Sequence, residues 1–165
     1  MAEIDYVAKD IKISVDDIVN FKQLYKLLRN WFNKFKYDFY EKEHIEDMKP
    51  EDIKNLSIKM ESDKKIDDYT KFHIELRLKG EGLKPVMRND ELCTKGKIKI
   101  SFEAYLENDY EGRWDRPFFL KFYRTLHDKY IRSDKYARNM SELKDELYDL
   151  MNKTKSFLKV EEFKK

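Results

Sequence analysis

The sequence predicts an α+β domain, a curved antiparallel sheet packed on one face by an N-terminal helix and two C-terminal helices. Three observations predict it. Residues 72–78 and 98–106 alternate apolar and polar side chains with a period of two, the pattern of strands with one buried and one wet face. Residues 18–35 repeat apolar side chains every three or four positions, as a helix lying on a core does. The C-terminal third repeats that helical spacing in two further runs. One wet face per strand argues for antiparallel pairing, because parallel sheets are covered on both sides.

Taken in order, Ile4 and Tyr6, then Ile11, Ile13 and Val15, alternate around Lys9-Asp10 and predict a short strand or extended arm, with residues 1–10 mobile. Ser14 followed by Asp17 reads as a capping box that starts the first helix. Its apolar face is Ile18, Phe21, Leu24, Tyr25, Leu28, Trp31, Phe32 and Phe35, and Lys34 and Lys36 suit its C-terminal carbonyls. Tyr37, Phe39 and Ile45 fall on one side of an extended segment that Glu41 and Glu43 interrupt. Either a bulge shifts the phase there or the strand runs past the core. Pro50 begins a turn, after which Leu56, Ile58 and Met60 alternate with Ser57, Lys59 and Glu61.

Residues Thr70–Leu78 give the strongest strand pattern, Phe72, Ile74, Leu76 and Leu78 facing one way. Gly80, Gly82 and Pro85 are expected to end it and leave 79–96 as a long loop. Ile98, Ile100, Phe102, Ala104 and Leu106 form the partner strand. Asp115 and Pro117 then suit the start of a helix over 118–130. A polar break follows over 132–139, and Asn139 or Ser141 opens a last helix carrying Leu143, Leu147, Leu150, Met151, Thr154, Phe157 and Leu158. Residues 160–165 are expected to fray. This order of elements resembles that of helix-grip domains, in which a curved antiparallel sheet wraps a long C-terminal helix and often encloses a ligand cavity; a shared fold of this kind carries no specific activity.

At 165 residues, with 11 Phe and 11 Tyr, the chain has the length and the core material for a single domain spanning residues 1–165. Its 35 basic and 33 acidic residues leave a charge of +2 with the signs interspersed, which offers no one-signed surface for DNA or anionic lipid. Cys93 is the only cysteine, excluding an internal disulfide and a thiolate zinc cluster. The N-terminal residues lack the basic and apolar runs of a signal peptide. No stretch approaches the roughly 20 apolar residues of a membrane helix. A cytoplasmic protein is expected, with no cofactor or metal signature.

Candidate contacts come from two regions. His73 and Glu75 share a strand face, and His44 joins them if its strand is adjacent. A solvated face accounts for the same letters, because no His-Glu-x-x-His pattern is present. Tyr105 adds a stacking surface, and Asp109, Glu111, Arg113, Trp114 and Asp115 form a polar-aromatic connection suited to ligand or partner contact. The bland account of that connection is a turn and helix start. Lys71, Arg77, Lys97 and Lys99 are the candidate phosphate contacts, opposed by Glu75, Glu103 and Glu107 on the same faces.

The leading expectation is a non-enzymatic binding or scaffold domain for a protein or small ligand, with 79–96 and 109–115 as its working surface. A carboxylate-dependent hydrolase or lyase, with residues 109–115 acting beside His73, is the alternative from another class. An electrostatic nucleic-acid binder is the third.

Overall fold

The apolar alternation produces five long antiparallel strands, seen in a computed structural model that describes residues 3–111 and 133–163. In chain order these are β1 (Glu3–Val19), α1 (Phe21–Lys34), β2 (Asp38–Lys49), β3 (Ile53–Lys65), β4 (Thr70–Arg88), β5 (Glu91–Asn108) and α2 (Ser133–Phe163). The sheet order is β1-β5-β4-β3-β2. Four strands follow one another as hairpins, while β1 crosses to pair with the last strand, so both edges come from the N-terminal part of the chain.

One column of each central strand is buried. On β5 it is Ile98, Ile100, Phe102, Ala104 and Leu106, and on β4 Phe72, Ile74, Leu76 and Leu78. These columns share one apolar cluster with Leu24, Leu28, Trp31 and Phe32 of α1 and Leu143, Leu147, Leu150, Met151 and Leu158 of α2. Burying each large side chain contributes roughly 1.5–3 kcal/mol. Polar bonds also pin α2 to α1 and to the connection between α1 and β2: Trp31 Nε1 donates to Asp149 at 2.7 Å, and the Tyr37 hydroxyl donates to Glu146 at 2.6 Å.

Several boundaries differ from the sequence expectation. The first strand continues through Val19, and Asn20 is the helix cap, its side chain accepting from the Gln23 amide. Ser14 and Asp17 therefore lie in β1, where Ser14 pairs with Lys99 and Asp17 with Gly96. Pairing with β5 satisfies their backbone groups, and Asn20 offers the cap oxygen instead. The last helix starts at Ser133, six residues before Asn139, and continues through Phe163. Its first turns are exposed, so their polar composition marks a solvated helix surface, not a break. The helix expected over 118–130 lies outside the described residues, among which the helices are α1 and α2.

The segment 79–96 is not a loop. β4 and β5 stay paired out to Arg88 and Glu91, and the tip is a two-residue turn in which Asn89 and Asp90 both have positive φ, at 50° and 61°. The feature read as a strand end is a bulge, a register shift between Glu81 and Lys84. There Gly82 takes φ 61°, and Leu83 turns inward to become fully buried over Gly80 and Gly96. A Cβ on Gly96 would stand 2.9 Å from Leu83 Cδ2 and 3.0 and 3.1 Å from the carbonyl oxygens of Gly82 and Glu81. Backbone oxygens cannot rotate away. Gly96→Ala is therefore expected to lower stability by about 1–3 kcal/mol in urea denaturation, and an unchanged midpoint would contradict the packing at this bulge.

Bulges also interrupt both edge strands. Lys42 is extra in β2, between the pairs Glu41↔Met60 and Glu43↔Lys59, which explains the lost phase around Glu41 and Glu43. β1 shifts register twice between Tyr6 and Ile11.

Candidate functional site

The solvent face of the sheet holds the first group of expected contacts. His73 and Tyr105 stack with centroids 4.8 Å apart and planes 9° apart, and Tyr6 continues the row at 5.5 Å from Tyr105. His73 Nε2 lies 2.8 Å from Glu107, and the Tyr105 hydroxyl donates to Glu75 at 3.3 Å. Burial, then the Glu75 carboxylate, pushes the Tyr105 hydroxyl pKa up, so it remains a donor at neutral pH. His44 sits on the β2 edge between Glu41 and Glu46, each 3.0 Å from a ring nitrogen. Its strand is separated from β4 by β3.

Three of the four candidate phosphate contacts stand beside carboxylates, and the fourth stands over a ring. Arg77 lies 3.9 Å from Glu75 and Lys99 3.9 Å from Glu81, Lys97 pairs in register with Asp16 on one side and Glu81 on the other, and Lys71 stands 4.5 Å over the Tyr110 ring. Glu61, Glu75 and Glu103 face each other across three adjacent strands, an acidic row across the path a phosphate backbone would follow. Asp109 is buried just past the end of β5, its amide donating to the Tyr69 carbonyl at 2.8 Å. Glu111 is exposed, and Arg113, Trp114 and Asp115 lie outside the described residues.

The geometry gathers a different set of polar side chains at the end of the sheet where α2 begins. Asp67 builds one wall: one carboxylate oxygen accepts the Tyr69 and Thr70 amides at 2.8 and 2.7 Å, closing the turn between β3 and β4, and its other oxygen meets Lys135 of α2 at 2.5 Å. Tyr110, just past β5, donates its hydroxyl to the Asp67 carbonyl at 3.1 Å. The floor is Thr70, whose hydroxyl donates to Asn108 at 3.0 Å, and Asn108, whose amide donates to Asp5 at 3.4 Å. Glu3 pairs with Asn108 in register.

Asp67, Thr70, Asn108, Asp5 and Glu3, together with Lys135, Tyr136 and Asn139 from α2, line a half-open cavity of about 290 Å³. Burial raises the Asp67 carboxyl pKa, yet the Lys135 ammonium and the two turn amides outweigh burial and hold it below its ordinary 3.8. Burial first, then the Asp5 carboxylate it bonds and the Glu3 charge, raise the Tyr136 hydroxyl. At neutral pH the pocket thus presents a charged Asp67 carboxylate beside a neutral phenol.

The sequence carried a signal for this pocket. Asn108 continues the buried column Ala104-Leu106, Thr70 precedes the column that starts at Phe72, and Asp5 pairs with Leu106. Polar residues closing an apolar column need hydrogen-bond partners. Here they find one another.

Among the described residues no three His, Cys, Asp or Glu side chains are placed to hold a metal ion, and no helix is long and apolar enough to cross a membrane. Cys93 is a buried thiol. No protein-family model, curated protein or solved structure matches the chain.

Proposed function

We propose that this chain is a non-enzymatic domain that binds a small polar ligand in the pocket at the start of α2. The observation that carries the reading is the convergence of β1, the β3–β4 turn, β5 and α2 on one cavity of about 290 Å³ lined by carboxylate, amide, hydroxyl and ammonium groups. That volume lies at the small end of ligand sites. The reading takes the sheet to be curved, with the helices covering its apolar face, and the common apolar cluster supports this.

Titration of the isotope-labelled chain with small polar compounds, followed by amide NMR, tests the reading. A ligand is expected to shift the Asn108 and Asn139 side-chain amides saturably. Asn139→Leu, which fills the cavity while keeping a good helix former, is expected to weaken that binding about tenfold or more. Shifts confined to the outer sheet face would overturn the pocket assignment.

A protein-binding role is the second reading, favoured by Met87 and Leu92, which pair across the β4–β5 tip and are each 68% exposed. A partner seated there would protect the tip amides from exchange and leave the pocket amides unmoved.

A further inference from the structure

We infer that the ligand of this pocket is a small organic cation carrying a primary ammonium group, seated between Asp5 and Asn139. The inference rests on the ligand-binding reading and adds a ligand class to it. Asn139 is the starting point. It is 8% exposed and lines the cavity, and no partner for its side-chain amide is present among the described residues. That amide faces the cavity, so a ligand group seated there can bond to it without displacing a partner among the described residues.

The sign of the ligand follows from the neighbours. Among the described residues Glu3, Asp5 and Asp67 line the same cavity against one ammonium, that of Lys135. Lys135 is committed to Asp67, whose other oxygen already accepts two backbone amides. Asp5 is different: the donors that reach it among the described residues, the Asn108 amide at 3.4 Å and the Tyr136 hydroxyl, are neutral. A carboxylate in a concave site gains most from a charged donor. An ammonium has three donors and no acceptor, which suits the Asp5 carboxylate, the Asn139 carbonyl oxygen and a hydroxyl of the lining. An anionic ligand would face three carboxylates, and a divalent metal finds no set of three ligating side chains among the described residues.

The test uses the full chain and four probes: 1,4-diaminobutane, the neutral 1,4-butanediol, the anionic succinate and calcium chloride. The diamine is expected to shift the Asn108 and Asn139 side-chain amides saturably, more weakly as sodium chloride rises. Asp5→Asn, which keeps the shape and can still bond to Asn108, is expected to weaken the diamine by roughly ten- to a hundredfold with little change in melting temperature. Tyr148→Phe, on an exposed position of α2, serves as the unaffected control. If butanediol, succinate or calcium moves these amides and the diamine does not, the cation assignment is overturned while the pocket stands as a binding site. If none of the four moves them, the cation assignment and the pocket reading fall together.

Discussion

Phe102→Ala is expected to destabilise the fold by about 3–5 kcal/mol, because the lost transfer energy of a phenyl ring adds to that of the cavity it leaves. Phe102 is fully buried and stands in register between Leu76 on one side and Ile11 on the other, in the strand that joins β1 to the rest of the sheet. Neighbours anchored in three strands cannot collapse into the void. A loss of this size is a large fraction of the roughly 5–15 kcal/mol that holds a domain together. Urea denaturation should show it as a lower midpoint with an unchanged slope. Ile45→Ala, at a position 58% exposed, should stay within about 0.5 kcal/mol of the parent. A Phe102→Ala loss below about 1 kcal/mol would mean that this column is not the centre of the core.

Lys64→Met is expected to cost nearly as much for an electrostatic reason. Lys64 Nζ lies 2.5 Å from Glu146, with side chains only 17% and 9% exposed, and the same ammonium stands 5.2 and 5.4 Å from the Tyr37 and Phe72 ring centroids. Methionine keeps an unbranched apolar side chain there and removes the ammonium. It leaves the Glu146 carboxylate buried with the neutral Tyr37 hydroxyl, and stranding a buried charge costs about 3–5 kcal/mol. Glu142, 3.7 Å from Lys64 and half-exposed, can reach water and adds little to the loss. Lys64→Met combined with Glu146→Leu should recover most of the stability, since both desolvated charges disappear. A double-mutant cycle by urea denaturation measures this coupling. A double variant as unstable as the sum of its parts would show that the two groups act independently.

How much of this was legible in the sequence varied with the physics of each element. The paired columns Phe72–Leu78 and Ile98–Leu106 could be read directly, because one buried and one wet face impose strict alternation. The outer half of the same hairpin could not. Gly80, Gly82 and Pro85 mark a strand end by their local preferences, but the cross-strand pairing of Glu81 with Lys97 and Lys84 with Lys95 carries the strand through the bulge. Tertiary pairing overrode local preference. At the N-terminus the capping letters of Ser14 and Asp17 competed with a better strand partner, and β5 decided between them.

Of the candidate site, His73, Glu75 and Tyr105 do meet on one face, as period-two spacing requires. The pocket residues were missed because they come from four separate elements. Asp5, Asp67, Asn108 and Asn139 share no sequence spacing. Only the β1–β5 pairing and the placement of the α2 start bring them together.

The bulges in β1 and β2 have a consequence for the protein in concentrated solution. An edge strand can add the strand of another copy, the first step toward fibrils, where it presents an even row of amides and carbonyls. Here the extra Lys42 displaces the row on one edge and the double shift between Tyr6 and Ile11 breaks it on the other. Lysines at 9, 12 and 42 add charge beside each break. Among the described residues both border strands of the sheet, β1 and β2, carry such a break, which opposes the addition of a further strand at that point.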